Sequence, residues 1–391
     1  MLAYSSLSLD NLEIKEEAEK ALRKECIDVP AYKAIEAAHP VNFYTPNPVI
    51  KIGLFILTAV IVCFSLGLLT LISFDMLRSE KGFASLCVFV GLACYGVLEI
   101  FIREKKLFRA GVDDALLWSA AGLLVCSVTY LYDGYSSPIS WCFFTFAITL
   151  LATLRFADMV MAGVSFLALL GLAFTLLIKL GPVAKTVIPF AIMVLSLAVY
   201  AIGRSWMKQY AFRHYNWCLT VVSVLSLLTL YLAGNYYVVR ELSNTMFDLQ
   251  LEEGQSIPGA LFFWIYTTVI PLVYLYLGIR KKDAILLRTG MILLAAIVFT
   301  IRYYHSVMPL ETAMVLGGLV LTTGAWALIR YLKTHPHGFT YVEPDEPSLA
   351  DKLKVESLII AQTYTPGAHT PSNTTDFGGG TGGGGGASGD Y

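Results

Sequence analysis

Residues 52–74 read IGLFILTAVIVCFSLGLLTLISF, twenty-three positions without one charged side chain. About 20 apolar residues in an α-helix cross the roughly 30 Å hydrocarbon core of a bilayer. A segment this long and this apolar is too much for the inside of a water-soluble domain. In lipid every backbone N–H and C=O needs an internal partner, so the segment is expected to be a helix and not a strand.

The rest of the chain repeats the pattern. Apolar stretches of similar length fall at about 82–102, 112–132, 137–155, 158–179, 186–205, 217–239, 258–279, 284–304 and 308–331. With the first, they predict an all-α, polytopic transmembrane bundle of about ten spans occupying residues 49–333. Composition agrees: 56% of the 391 residues are hydrophobic and 15% are charged, where a soluble domain carries about a quarter charged. Within 137–179 the apolar run is broken only by Arg155-Phe156-Ala157-Asp158. That break reads as a tight turn between two spans.

The cationic flanks orient the bundle. Lys33, Lys51, Arg103, Lys105, Lys106, Arg109, Arg155, Arg204, Lys208, Arg213, Arg280, Lys281, Lys282, Arg288, Arg330 and Lys333 fall on one side of the expected spans. Arg78, Lys81, Lys179, Lys185, Arg240 and Arg302 fall on the other. Short loops rich in Lys and Arg stay in the cytoplasm, so an even number of spans leaves both termini there. Between the seventh and eighth spans an acidic stretch, about 240–257, forms the longest loop on the outer side.

Residues 1–48 are polar and read as a cytoplasmic helical segment. Ser8-Leu9-Asp10 is placed to cap a helix from about Asn11 to Cys26, and Pro30 opens a second that ends near His39-Pro40. Leu12, Ile14, Ala18 and Leu22 share one face of the first helix. That face docks on the protein's own loops, on the membrane or on a cytoplasmic partner. With Glu13, Lys15, Glu16, Glu17 and Glu19 in the first thirty residues, no cleavable signal peptide is expected. The last segment, 334–391, ends in FGGGTGGGGGASGDY. Glycine at that density builds no core, so a disordered cytoplasmic tail is expected.

Several chemistries find no support. A net charge of −1 gives no footprint for nucleic acid. The seven cysteines form no CxxC pair and sit mostly in apolar runs, as small buried hydrophobes do. No HExxH, Walker motif, dinucleotide loop or GxSxG occurs, and GGGTGGGGG lacks the Lys-Ser/Thr of a phosphate loop. No metal or cofactor is expected. The expected partner is the lipid bilayer, with any small-molecule substrate unspecified.

Charges in or beside a span are costly and therefore candidate functional positions. Glu99 and Arg103 stand at i,i+4 near the end of the second span and share a face. Asp113 and Asp114 open the third, where carboxylates favour a helix N-terminus. Arg155 and Asp158 stand at i,i+3 in the tight turn, placed to pair and to cap. Arg288 lies one turn into the ninth span, within reach of the interface by snorkelling. The densest polar group is outside: Arg302, Tyr303, Tyr304 and His305 end the ninth span and Glu311 opens the tenth, with Arg240 and Glu241 ending the seventh on the same face. This is either an aromatic belt with charges at the water boundary or a vestibule for an anionic or sugar-like ligand. Pro271 is expected to kink the eighth span, and Gly317, Gly318 and Gly324 to permit close helix approach in the tenth.

The helical prelude from Glu16 to Ala38 leads directly into the first span, and residues 288–327 read RTGMILLAAIVFTIRYYHSVMPLETAMVLGGLVLTTGAWA. In these features the chain resembles a group of uncharacterised bacterial polytopic inner-membrane proteins built as a short N-terminal helical segment, a many-span bundle and a variable tail. The resemblance implies an inner-membrane location and carries no activity, cofactor or site residue with it. Three readings stay open: a transporter-like bundle, a membrane enzyme acting on lipid-linked or envelope substrates, and an assembly or regulatory protein.

Overall fold

The computed structural model describes residues 2–74, 79–131, 138–247 and 259–304, with scattered positions between 312 and 330; the side chains of 182, 185, 245–247, 298–299 and 301–304 are outside that description. Among the described residues there is helix and no strand beyond a single backbone bridge between Tyr44 and Leu107. Two short helices come first, α1 (Ser6–Arg23) and α2 (Val29–Ala38). Long apolar helices follow: α3 (Pro48–Ile72), α4 (Glu80–Lys105), α5 (Val112–Leu131), α6 (Pro138–Phe156), α7 (Met159–Ile178), α8 (Ala184–Met207) and α9 (Asn216–Gly234). A short α10 (Tyr236–Phe247) precedes α11 (Ala260–Lys281) and α12 (Ala284–Tyr304).

Eight of these, α3 to α9 and α11, are long and apolar enough to cross a membrane. At 1.5 Å per residue the 25-residue α3 is about 37 Å long, more than the hydrocarbon core requires. The ninth expected span appears as α12. The tenth lies mostly outside the described residues; those described within 308–331 are helical, and Thr322 and Thr323 donate to the carbonyls four residues back. The Gly-rich segment 334–391 lies outside them altogether.

Polar contacts at the helix ends set the up-and-down order. Lys51 of α3 meets Asp114 of α5, Glu99 of α4 meets Arg155 of α6, and Arg204 of α8 meets Asp283 at the start of α12. These contacts gather on the face that carries α1 and α2, called here the hairpin face. On the opposite, far face Phe83 of α4 packs edge-on against Tyr130 of α5, and Phe190 of α8 lies beside Phe262 and Phe263 of α11. The apolar cores fill the space between: Leu86, Val90 and Leu98 of α4 against Leu117 and Ala121 of α5, and Leu227 and Tyr231 of α9 against Tyr274 of α11 and Leu293 of α12. The outward faces stay apolar, as at Phe64, Leu71 and Ile72 of α3. These helices make the chain a multi-pass membrane protein with lipid around it.

Three local details differ from the sequence reading. The run 217–239 is not one helix: the backbone turns extended at Asn235, and Tyr236 begins the separate α10, which also takes up 240–247 of the expected acidic loop. Helix α1 begins at Ser6, ahead of the Ser8-Asp10 capping site, and Ile14 is exposed, so its inner face is Leu9, Asn11 and Ala18. Of the three glycines expected to permit close approach, Gly317 lies outside the described residues, and among the described residues no atom stands within 4 Å of where a Cβ would sit at Gly318 or Gly324. Close approach occurs instead at Gly278, where a Cβ would lie 2.8 Å from the Leu287 nitrogen, and this lets α11 and α12 pack at their shared turn.

Candidate functional site

On the hairpin face, four chain segments bring charged groups into the ends of the bundle. The loop 106–111 needs unusual backbone to do this. Lys106 and Arg109 have left-handed φ values of 50° and 48°, and Gly111 has φ 94° with the Lys51 carbonyl where a side chain would stand. Only glycine fits that combination. The loop aims Asp113 back on itself: its carboxylate accepts the Ala110 N–H at 2.8 Å, and the residue is 3% exposed. Asp114, next to it, takes the Lys51 ammonium at 2.9 Å.

The α6–α7 turn is two residues long. Ala157 takes φ 50°, and Asp158 caps α7 by accepting the Met161 N–H at 2.8 Å. Its carboxylate also receives the Trp118 indole N–H of α5 at 3.3 Å. The expected Arg155–Asp158 pairing gives way to a division of labour, because the turn sends the two side chains in different directions. Arg155 reaches Glu99 of α4 with two hydrogen bonds, 2.9 and 3.1 Å, and Tyr95 donates to the same carboxylate at 3.0 Å. Arg103, the sequence-neighbour partner, stands farther at 3.6 Å. A planar guanidinium matched to a carboxylate holds better than a flexible neighbour.

The N-terminal segment closes over this region. The Ala3 N–H donates to the Arg155 carbonyl at 2.8 Å. Tyr4 enters a pocket of about 10 Å³ lined by Arg109, Asp113, Asp114, Phe156 and Asp158. That volume is at the threshold for one water molecule. Tyr4 is held by edge-on contacts with Phe43 and Phe108 at ring distances of 6.1 and 5.0 Å. Burial, and then the nearby carboxylates, push its phenol far above the ordinary value. Burial also pushes the Asp158 carboxyl up, with the charge of Asp114 adding to it and the Met161 and Trp118 donors opposing. Farther along, Asp10 of α1 takes Arg213 with two bonds of 2.8 Å, and this pins the hairpin to the loop before α9. That guanidinium holds the Asp10 carboxyl below its usual range.

The structure therefore joins Asp113, Asp114 and Asp158 in one pocket, with the Glu99–Arg155 pair at its edge. Arg288 lies exposed on α12 and does not line it. On the far face, the Asn235 amide donates to Thr300 of α12 at 3.1 Å, so α10, with Arg240 and Glu241, starts beside the end of α12 that carries Arg302 and Tyr303. His305 and Glu311 lie outside the described residues. Sequence reasoning missed Tyr4, which carries no local signal. It also missed Asp283, which the cationic run Arg280-Lys281-Lys282 directly before a span does signal. Among the described residues no group of three or more His, Cys, Asp or Glu is disposed to hold a metal ion. No family model matches the chain, and no curated protein or solved structure is similar to it.

Proposed function

We propose that the protein is a transporter-like component of the bacterial inner membrane, with both termini in the cytoplasm and the hairpin face inward. The observation that carries the reading is the pocket of Tyr4, Arg109, Asp113, Asp114 and Asp158. Carboxylates removed from water at the end of a membrane bundle are costly unless they serve a purpose. Among the described residues lining the pocket the carboxylates outnumber the cations: Asp113, Asp114 and Asp158 stand with Arg109 on the wall, and Lys51 is engaged with Asp114. Such a group takes up protons or a small cation as the price of letting a solute pass. Tyr4 lines the small space beside them, about 10 Å³, which fits a closed state.

The test is solute-blind. Cells lacking the protein are compared with cells carrying the wild type by untargeted metabolite profiling of cytoplasm and medium. Wild type restores any altered solute, whereas Asp113→Asn and Asp158→Asn insert in the membrane without restoring it. No solute difference between deletion and wild type removes the transport reading.

A further inference from the structure

The seam between the α6–α7 and α8–α9 hairpins holds a second, larger cavity of about 300 Å³. Leu150, Phe166, Val199 and Leu219 wall its interior, and nearly all of its surface is carbon. Toward the hairpin face two apolar contacts border it. Trp206 stacks on Phe212 at 4.9 Å and 9°, and Leu2 packs against the cluster of Ala157, Ala162 and Cys218, the last two of which line the cavity. The rim faces sideways: Leu154, Ile202 and Trp206 line the cavity yet are exposed, Ile202 by 48%. With α6 and α8 read as membrane spans, that rim faces acyl chains.

The cavity's reach matches one leaflet. Its wall runs from Phe146 to Leu154 on α6 and from Val199 to Trp206 on α8, which is about 10–12 Å along each helix. One leaflet contributes about 15 Å of hydrocarbon. On α8 the wall ends, toward the hairpin face, at Trp206, a residue type that favours the membrane boundary, with Lys208 two positions beyond at the cap of α8. The neighbouring cations are committed, Arg204 to Asp283 and Arg213 to Asp10. Lys208 is exposed and has no carboxylate partner among the described residues. A slot of this volume and depth is far narrower than a helix, about 10 Å across, so a second copy of the chain does not fill it.

We infer that this cavity is a binding site for an anionic phospholipid of the leaflet on the hairpin side, with one acyl chain in the slot and the phosphate at Lys208. The inference does not depend on the transport reading. It is tested on the full chain in nanodiscs of phosphatidylcholine and phosphatidylglycerol, containing a trace of phosphatidylglycerol with a diazirine on one acyl chain. After illumination, adducts are mapped by mass spectrometry, with the lipid-facing α3 as the reference for non-specific contact. Adducts are expected to concentrate on 146–154 and 199–206. Ser165→Phe, which fills the slot, and Ile202→Trp, which blocks its exposed rim, each return labelling to the α3 level; the rim position keeps the test valid where the buried one disturbs folding. Lys208→Gln lowers the preference for the phosphatidylglycerol probe over a phosphatidylcholine one by about fivefold, the worth of one cation at an anionic surface. Labelling no higher than on α3 overturns the site. So does a co-purifying quinone or other neutral apolar molecule that displaces the probe.

Discussion

At the scale of single residues, the bundle's ends are held by carboxylates whose partners sit far away in the chain. Glu99 is the sharpest case: its side chain is 14% exposed and it depends on Arg155, while Arg103 is 74% exposed. Arg155→Ala leaves a carboxylate without its main partner. The expected cost is about 2–3 kcal/mol, against less than about 1 kcal/mol for Arg103→Ala. Unfolding midpoints in mixed micelles measure both, and equal losses contradict the geometry. Asp10 and Asp158 give opposite responses to acid. The Arg213 bond lowers the Asp10 pKa, so its contribution to docking α1 is full above the ordinary aspartate value near 3.9 and is lost as pH falls through the lower folded value. Burial raises the Asp158 pKa, so its ionised form weakens the fold as pH rises above that ordinary value. Asp10→Asn is therefore expected to weaken protection of α1 at neutral pH and to abolish its further loss in acid, read by amide hydrogen exchange. Glu99, Asp113 and Asp158 were legible in the sequence because charge stands out against apolar runs. Their contacts were not, because Arg155 meets Glu99 and Tyr4 meets the carboxylates across helices whose order in space the sequence does not state.

At the scale of elements, the break between α9 and α10 turns on Asn235. Its carbonyl oxygen accepts the Tyr237 and Val238 N–H groups at 3.0 and 3.3 Å, while its amide nitrogen donates to the Tyr231 hydroxyl and to Thr300. The Tyr236 N–H goes to the Thr267 hydroxyl of α11 at 3.0 Å. One side chain thus caps a helix and ties three elements. Asn235→Ala removes the cap and leaves the half-buried Tyr237 and Val238 N–H groups without their acceptor. A loss of about 2 kcal/mol is expected, with faster amide exchange at Tyr237 and Val238; unchanged exchange there shows that α10 holds without it. The apolar length of 217–239 hid this break, since Tyr-Tyr-Val-Val continues the hydrophobic run. By contrast the α6–α7 turn was legible, because Arg and Asp three residues apart interrupt a stretch that is otherwise carbon. Lengths of spans were readable from hydropathy alone, as α3 to α8 and α11 bear out, whereas a helix ending inside an apolar run, as α9 does, needs a polar side chain turned inward, and that shows only in three dimensions.

At the scale of the whole molecule, the distribution of Lys and Arg and the placement of α1 and α2 point to the same face. The helices that end in basic flanks, α4 at Arg103 and Lys105 and α11 at Arg280 and Lys281, both end on the hairpin face. The chain contains a natural reporter of that face. Cys26 is an exposed free thiol between α1 and α2, while Cys63, the other exposed cysteine, lies in the middle of α3, where lipid shields it from a charged reagent. A membrane-impermeant maleimide added to intact spheroplasts is expected to leave Cys26 unlabelled and to label it once the membrane is opened. Lys179→Cys, at the exposed far end of α7, supplies the converse: a thiol labelled without opening the membrane. Because each span reverses direction, these two positions report on the same alternation, and a bundle inserted with the opposite sense exchanges their behaviour. Labelling of Cys26 in sealed spheroplasts places the acidic pocket and the Tyr4 segment outside the cell and ends the case for a cytoplasmic entrance.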